Sequence, residues 1–435
     1  MLNSFKKHIT TNFPFLFNSK LLLAVSGGVD SIVLTHLCRK CKLDVALAHC
    51  NFKLRGAESD DDEKFVISIA NHLNIEVFVE SFDTTSYAED NNLSIQMAAR
   101  ELRYRWFKQL SNALGFRYIV TAHQAEDNLE TFLINLSRGA GLEGLTGIPP
   151  TNKKVVRPLL PFSREEITIY AIENNIKWRE DSSNIEIKYL RNRLRHKVIP
   201  ELRKINPHLI SNFQNTIKFL KGSSQIVKSH TEYLKSSLFI REEGIIKIPV
   251  SQLLKLKPRK PYLYEIFKEF GFTAWDDVES LLTAGSGKQI FSPTHRMIKD
   301  REYLLIKNTE KNNSLKEFFI NEGEEYVMRP LAMSFFTVNK INENNDSVIY
   351  IDKEKLKFPL IVRKRKEGDY FYPFGMKGKK KLSKFFKDEK YSLLDKENQW
   401  LLCSGNEIIW VIGKRADDRF KVTEKTSEII KIKAH

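Results

Sequence analysis

A short glycine- and serine-rich stretch near the N-terminus has the composition of a phosphate-binding loop, Ser26-Gly27-Gly28-Val29-Asp30-Ser31. Gly27 and Gly28 allow positive φ angles and close backbone approach, so that successive N–H groups can face one anion. The hydroxyl groups of Ser26 and Ser31 add donors. Asp30 suits an anion site only if a cation such as Mg²⁺ lies between the two charges. These residue types predict a site for metal-bound pyrophosphate, with Asp30 as the metal ligand.

The flanking sequence supplies the elements that position this loop. The apolar run at residues 21–25 predicts a buried strand, and the 3.6-residue pattern after Ser31 predicts a helix whose N-terminal dipole favours an anion. The alternative is a strand–turn–helix that uses these residues only as a turn and a helix cap. The loop is not a Walker loop, which requires G-x-x-x-x-G-K followed by Ser or Thr.

Strand and helix patterns alternate through the N-terminal part of the chain. Further strands are predicted at residues 44–50, 75–80 and 118–123, and helices at residues 59–73 and 94–114. This alternation predicts right-handed crossovers and a doubly wound parallel sheet of the α/β class, Rossmann-like in arrangement.

Polar residues follow three of the predicted strands, at residues 26–31, 49–56 and 123–130. Ligands bind such sheets outside the carboxyl ends of the strands. We therefore expect one pocket to collect all three segments.

Composition points to a folded protein with a polyanionic partner. The chain has 435 residues, enough for two or three domains, and a formal net charge of +16, with a pI near 9.4. Positive charge favours nucleic acid, because neutralising phosphates releases counterions. A lysine-rich solvated surface is the alternative.

Cysteine usage and hydropathy restrict the class further. The four cysteines, Cys38, Cys41, Cys50 and Cys403, are too few for a disulfide scaffold in a chain of this length. Cys38 and Cys41 have no second pair to complete a zinc site, so we expect them to pack in the core. The sequence shows neither a signal peptide nor a membrane-spanning run, so a cytoplasmic protein without membrane contact is expected.

A basic segment near the C-terminus combines charge with aromatic rings. Residues 363–387 contain ten Lys or Arg, interleaved with Tyr370, Phe371, Tyr372, Phe374, Phe385 and Phe386. Cations can contact phosphates while rings contact sugars or bases. We expect Lys380, Lys381 and Lys384 to bind RNA phosphates, and the rings to be divided between core and contact. The alternative is a small β-rich core with a basic rim.

Ordered motifs carry a resemblance to a known family. The phosphate loop resembles the signature of the PP-loop ATP pyrophosphatases, which split ATP to AMP and pyrophosphate. Together with the loop, four further strings resemble the tRNA(Ile)-lysidine synthetase family: His49-x-Asn51-x-x-Leu54-Arg55-Gly56-x-Glu58-Ser59, Ala99-Arg100-Glu101-Leu102-Arg103-Tyr104, Ala122-His123-x-x-x-Asp127-Asn128-x-Glu130-Thr131, and Tyr189-x-Arg191-Asn192-x-x-Arg195. The sequence departs from the family pattern at Phe52, which commonly is a second histidine, and no role is assigned to Phe52.

The resemblance covers most of the chain and implies its domains. It continues in residues 365–369, 380–386 and 413–417, whereas residues 222–350 are placed only by their position between matches. The expected domains are a PP-loop catalytic domain at 1–215, a mostly helical tRNA-recognition domain at 216–320, a linker and the start of the C-terminal region at 321–350, and a small α+β tRNA-binding domain at 351–435.

The resemblance implies a ligase that uses ATP, Mg²⁺ and L-lysine. Its substrate would be the wobble cytidine in the CAU anticodon of a minor isoleucine tRNA. The 2-oxygen of the base would be adenylated with loss of pyrophosphate, and the lysine ε-amine would then attack carbon 2 and release AMP. The sequence is compatible with a homodimer.

Site roles follow from the same resemblance. Asp30, Arg100, His123 and Asp127 would be catalytic: Arg100 would steady the phosphates or the adenylated base, and His123 and Asp127 would hold and activate lysine or base. The substrate-binding residues would be Glu130, beside the lysine ammonium, and Arg191 and Arg195, on tRNA or phosphate. Each also has a structural alternative, such as an Arg100–Glu101 pair or Asp127 as a first-turn helix acid.

Rival functions differ in the residues they require. A PP-loop tRNA thiolase would need reactive cysteines or a cluster site. An amidotransferase or an enzyme similar to NAD synthetase would leave the basic aromatic segment unexplained. A non-catalytic RNA-binding protein would explain the charge but would not need the phosphate loop or Asp127.

Overall fold

The computed structural model describes residues 1–180, 190–309, 317–343 and 345–435. Tyr189, the first residue of one family motif, lies outside the described residues. The chain forms two compact units, Met1–Val227 and Lys228–His435. The bounds of the four segments expected from the sequence remain predictions.

The first unit contains a six-stranded sheet of order β3-β2-β1-β4-β6-β5. Its strands are β1 (Leu21–Ala24), β2 (Val45–Asn51), β3 (Val77–Ser81), β4 (Tyr118–Val120), β5 (Thr151–Asn152) and β6 (Val155–Val156). All neighbouring strands are parallel except β5, which pairs antiparallel with β6. The predicted doubly wound α/β fold is confirmed.

The first unit also contains the following helices, the last of which extends past Val227 into the second unit. They are α1 (Leu2–Asn12), α2 (Val29–Lys40), α3 (Ala57–Leu73), α4 (Thr84–Asp90), α5 (Ile95–Ala113), α6 (Ala125–Ser137), α7 (Leu142–Leu145), α8 (Arg164–Glu173), α9 (Leu190–Arg193), α10 (Ile199–Ile205) and α11 (Leu209–Leu238), with a 3₁₀ turn at Pro14–Asn18 and a π-helical turn at Leu194–Val198. Leu21, Leu22 and Leu23 of β1 are all fully buried, because helices cover both faces of the sheet.

Helix starts in this unit follow their sequence signals. Ser94 caps α5 by accepting the N–H of Met97. At α8, Ser163 and Glu166 form the reciprocal capping box that their spacing predicts.

The second unit begins with an antiparallel sheet of order β7-β8-β11-β10-β9. Its elements are β7 (Ile240–Glu242), β8 (Ile245–Pro249), α12 (Val250–Lys255), α13 (Arg259–Phe267), a 3₁₀ turn (Lys268–Phe270), α14 (Trp275–Leu281), β9 (Gln289–Phe291), β10 (His295–Asp300) and β11 (Tyr303–Asn308). The β10–β11 hairpin closes with Asp300 opposite Tyr303. The segment is therefore richer in strand than the mostly helical domain expected there.

The rest of the second unit contains two larger antiparallel sheets, β12-β16-β19-β20-β21 and β13-β14-β22-β15, and a β17–β18 pair. Its strands are β12 (Phe318–Ile320), β13 (Tyr326–Val327), β14 (Met333–Val338), β15 (Val348–Asp352), β16 (Leu360–Arg363), β17 (Tyr370–Phe371), β18 (Lys380–Lys381), β19 (Leu401–Ser404), β20 (Glu407–Val411), β21 (Arg415–Ala416) and β22 (Ile429–Ala434). The helices are α15 (Leu382–Asp388) and α16 (Leu393–Asn398), with 3₁₀ turns at Lys353–Lys355 and Asp418–Phe420. The expected small α+β domain is confirmed.

The aromatic rings of the basic segment divide between interior and surface. Phe371, Phe385 and Phe386 are buried and share one apolar cluster. Tyr370 is 45% exposed and Phe374 is 50% exposed. The buried rings form the core of this segment, and the exposed rings are accessible to a ligand.

This division predicts different costs of truncation. Phe386→Ala should lower the free energy of unfolding by about 3–5 kcal/mol, because it removes a fully buried ring and leaves a cavity. Phe374→Ala, the matched control, should change it by less than about 0.5 kcal/mol. Urea unfolding of the full chain measures both, and similar midpoints for the two variants would contradict the assignment.

Candidate active site

The glycine-rich loop turns sharply between β1 and α2. Gly27 has φ of +93°, a left-handed conformation that glycine adopts without steric cost. Gly28 is the N-cap of α2, and the Ser31 hydroxyl donates to the Gly28 carbonyl oxygen at 2.9 Å. The Ser26 N–H donates to the Ser31 Oγ at 3.3 Å. These contacts hold the loop against the N-terminus of α2, where an anion is favoured.

A cavity of about 960 Å³ lies at the carboxyl ends of β1, β2 and β4. All three polar segments expected from the sequence line it, among them Ser26, Asp30, Ser31, His49, Asn51, Phe52, Arg55, His123 and Asp127. The prediction that one pocket collects them is confirmed. Arg164, Arg179, Arg191 and Arg195 line it as well.

The two carboxylate oxygens of Asp30 differ in their partners. Its Oδ2 forms an ion pair with Nη1 of Arg164. Its Oδ1 is buried and has no hydrogen-bond partner within the described part of the chain. Burial raises the pKa of Asp30 to about 6, Arg164 opposes this rise, and the neighbouring charge of Asp127 adds to it. A further positive charge at Asp30 would therefore be stabilising.

The donor set fits Mg²⁺ bound together with a nucleotide. Among the described residues, no cluster of three or more His, Cys, Asp or Glu side chains is arranged to hold a metal alone. Magnesium in nucleotide sites is commonly bound by one or two carboxylates and by the phosphates themselves. The unpartnered Asp30 Oδ1, with the Asp127 carboxylate nearby, matches this pattern.

Asp127 and Glu130, one helical turn apart on α6, differ in their surroundings. Asp127 is partly exposed to the cavity; its Oδ2 accepts the N–H of Gln124 at 3.1 Å and its Oδ1 accepts from Arg195 at 3.1 Å. Glu130 is fully buried and binds Nε of Arg195 at 2.7 Å and Nε of Arg191 at 2.9 Å. Glu130 thus holds both arginines at the cavity wall, while Asp127 faces the cavity itself.

His123 is a neutral imidazole under ordinary conditions. Its Nδ1 lies 2.9 Å from the Thr121 hydroxyl. Burial lowers the pKa of His123 to about 4; Asp127 opposes this shift, while Arg157, Arg191 and Arg100 reinforce it. A neutral ring can exchange hydrogen bonds with a base or an amine without adding positive charge.

Arg100 lies outside the lining of this cavity. Its guanidinium is exposed and stacks on the ring of Tyr104, with 5.0 Å from Cζ to the ring centroid. Glu101, its suggested partner, instead accepts from the Tyr87 hydroxyl at 2.9 Å. The charge of Arg100 contributes to the lowered pKa of His123.

Sequence reasoning missed three arginine roles. Arg164 pairs with Asp30, and Arg55 and Arg179 both bind the buried carboxylate of Asp62. The Arg179 N–H also donates to the carbonyl of Gly27 at 3.0 Å. Arg55 stands in a family motif, so a signal existed for it. Arg164 and Arg179 belong to no quoted motif.

The lysines of the basic segment, in the second unit, are not equivalent. Lys380 is half-buried and its Nζ lies 2.7 Å from Oδ2 of Asp388. Lys381 and Lys384 are exposed. The latter two are better placed to meet an external phosphate.

The cysteines lack the environment of reactive thiols. Cys38 and Cys41 are buried in the core of the first unit, which confirms their predicted packing role. Burial raises the pKa of the Cys50 thiol to about 12 and that of Cys403 to about 11. A protonated thiol is a poor nucleophile, which weighs against the thiolation alternative.

A parallel sheet with a phosphate loop after its first strand, opening into a cavity of carboxylates and arginines, defines a PP-loop ATP-binding enzyme. The PP-loop domain model matches residues 1–202, the TilS substrate binding domain matches 241–310, and the TilS substrate C-terminal domain matches 360–432. The chain belongs to the tRNA(Ile)-lysidine synthase family, as its relatives show.

Two curated relatives match nearly the full length. The tRNA(Ile)-lysidine synthase of Parabacteroides distasonis is 40% identical over 94% of this chain and 94% of its own. That of Bacteroides thetaiotaomicron is 37% identical over 98% of this chain and 97% of its own. Among solved structures, the U34-tRNA thiolase NcsA from Methanococcus maripaludis matches with a TM-score of 0.43 and 17% identity, over 50% of this chain and 78% of that one.

No helix in the described ranges is long and apolar enough to cross a membrane.

Proposed function

We propose that this enzyme joins L-lysine, through its ε-amine, to carbon 2 of the wobble cytidine in the CAU anticodon of tRNA(Ile), with ATP converted to AMP and pyrophosphate. One observation carries the proposal. A single cavity combines a phosphate loop with the Asp30 and Asp127 carboxylates and the neutral His123. Such a cavity can serve both nucleotide cleavage and amine attack, and the family supplies the substrates.

The first step is adenylation of the base. The cytosine 2-oxygen forms a bond to the α-phosphorus of ATP, and the bond from that phosphorus to the bridging oxygen breaks, so that pyrophosphate leaves with the electron pair. The loop N–H groups and the N-terminus of α2 stabilise the negative charge that develops on the phosphates. Asp30 would hold Mg²⁺, and the bound ion would neutralise charge on the leaving pyrophosphate.

The second step is attack by lysine. The ε-ammonium gives a proton to the Asp127 carboxylate, the nitrogen forms a bond to carbon 2, and the bond from carbon 2 to the activated oxygen breaks, so that AMP leaves with the electron pair. Asp127 supports this step best, because its carboxylate faces the cavity. Both carboxylate oxygens of Glu130 are engaged by arginines, so we assign Glu130 to positioning Arg191 and Arg195. Neutral His123 can accept a hydrogen bond from the amine.

The basic segment supports tRNA binding. Lys381 and Lys384 are exposed, and Lys381 pairs across the β17–β18 ladder with Tyr370, whose ring is also exposed. Cations beside rings suit an RNA backbone. Lys380 joins them in the proposed contact, although Asp388 already compensates its charge.

A direct assay tests the proposed function. Purified enzyme incubated with labelled lysine, ATP, Mg²⁺ and bulk tRNA should transfer label into tRNA. Asp30→Ala should abolish both label transfer and pyrophosphate release while leaving tRNA binding nearly unchanged, because Asp30 is part of the phosphate site. Absence of label from tRNA with the wild-type enzyme would refute the proposal, and wild-type pyrophosphate release by Asp30→Ala would refute the role of that residue.

Substitutions of the two carboxylates of α6 should affect the two half-reactions differently. Asp127→Asn should slow lysine transfer by about a hundredfold, because it removes the charge that attracts the amine, and should change pyrophosphate release by less than about threefold. Glu130→Gln is the comparison: by loosening both arginines it should slow the two half-reactions together. Single-turnover assays of each half-reaction measure the split, and equal losses in Asp127→Asn would contradict the assignment.

Substitutions of the lysines should change the salt dependence of tRNA binding to different extents. Lys381→Ala with Lys384→Ala should weaken tRNA binding and flatten the slope of log affinity against log salt by about two, roughly one per lost phosphate contact. Lys380→Ala should change the slope less, because Asp388 compensates that ammonium. Filter binding at several salt concentrations measures this. An unchanged slope in the double variant would mean that tRNA is held elsewhere.

A further inference from the structure

The ion pair between Asp30 and Arg164 blocks half of the carboxylate that the metal needs. Arg164 occupies Oδ2 of Asp30, whereas Oδ1 is buried and without a partner in the described chain. A divalent cation entering at Asp30 would meet the guanidinium at the same carboxylate. The metal would bind the free Oδ1 while the guanidinium holds Oδ2, and the two cations repel each other across one carboxylate, so metal binding weakens the ion pair.

The backbone of Arg164 is held in place, whereas its side chain is half-exposed. It is the first residue of α8, and its N–H donates to Oε2 of Glu126 at 2.9 Å. The other carboxylate oxygen of Glu126 accepts from Arg203 at 2.5 Å. Beyond this anchor the Arg164 side chain is 49% exposed and lines the cavity.

A released guanidinium would find a new partner in the same cavity. The phosphate loop lies beside Asp30, and guanidinium groups match pairs of phosphate oxygens through parallel hydrogen bonds. Charge supports the exchange: the metal replaces Arg164 at the carboxylate, while the nucleotide brings anionic oxygens that need a cation.

We propose that Arg164 is an exchangeable counterion, which neutralises Asp30 in the ligand-free enzyme and transfers to the pyrophosphate oxygens when metal and nucleotide bind. There it stabilises the departing pyrophosphate. The inference rests on the proposed adenylation for its second half only. The proposed competition between Arg164 and metal for Asp30 does not depend on that reaction.

The alternative, a static ion pair, makes the opposite prediction for metal binding. If Arg164 only holds Asp30 in place, its loss should misplace the carboxylate and weaken metal affinity. If Arg164 competes with metal, its loss should strengthen metal affinity and yet slow the reaction.

Arg164→Gln distinguishes these outcomes with two measurements. Electron paramagnetic resonance of Mn²⁺ titrated into the protein, without tRNA, lysine or nucleotide, should show a half-saturating concentration lowered by about threefold or more. Pyrophosphate release in the presence of tRNA and ATP should slow by about tenfold to a hundredfold. Weaker or unchanged Mn²⁺ binding would overturn the competition, and unchanged pyrophosphate release would overturn the transfer to pyrophosphate.

Controls keep the test independent of folding and of the proposed function. Arg259→Gln removes an arginine, 35% exposed, that pairs with Glu279 in the second unit instead of with Asp30, and should leave Mn²⁺ binding unchanged. Should Arg164→Gln fail to fold, Arg164→Lys keeps the charge but loses the paired hydrogen bonds. It should bind Mn²⁺ as the wild type does and still release pyrophosphate more slowly; a wild-type rate would overturn the phosphate contact. The Mn²⁺ titration uses no tRNA, so it can succeed even if lysine transfer is not observed.

Discussion

The site depends on the balance between crowded carboxylates and the arginines that neutralise them. Asp30, Asp127 and Glu130 approach one another at the edge of one sheet, and burial raises the pKa of both Asp30 and Glu130. Glu130 can be fully buried only because Arg191 and Arg195 both bind it. The same arginines thereby become fixed walls of the cavity. The ion pairs of Glu130 with Arg191 and Arg195 therefore both neutralise a buried charge and position two residues that line the cavity.

The sheet makes this crowding geometrically feasible. Because β1 pairs in parallel with both β2 and β4, the segments that follow these strands emerge at one edge, although they are far apart in sequence. Backbone rigidity then matters as much as proximity. Gln124 and Asp127 cap α6 reciprocally, so the carboxylate that faces the cavity is already oriented by a helix terminus. The parallel sheet therefore brings these side chains together, and the helix cap orients the Asp127 carboxylate.

Local pattern was sufficient for the elements and for the pocket. The apolar runs predicted β1 to β4 to within a few residues, and the strand-end rule predicted which polar segments meet. Long-range pairings could not be predicted in this way. Arg164 and Asp30 are 134 positions apart, and nothing in either local sequence marks them as partners. The same holds for Arg179 and Asp62.

The exposure of individual side chains likewise could not be predicted from the sequence pattern. Spacing placed Asp127 and Glu130 on one helix face, but only packing shows that one is open to the cavity and the other sealed. In the basic segment, Lys380 and Lys381 are neighbours of identical type, yet only Lys380 meets Asp388. In the middle of the chain the edge strands β7 and β9 have three residues each and are mostly exposed, so their sequences carried too little pattern to predict them.

The elevated pKa of Asp30 also couples the reaction site to the stability of the fold. Burial raises this pKa from its ordinary value of 3.8 to about 6, so the folded chain holds the proton more tightly than the unfolded chain does. The free energy of unfolding therefore falls as pH rises from about 4 to about 6, and the deficit persists at higher pH. A cation that binds the ionised carboxylate reverses this deficit, since ligands of the native state stabilise it by mass action. A cation at Asp30 would therefore stabilise the folded chain most at a pH above about 6, where this carboxylate is ionised.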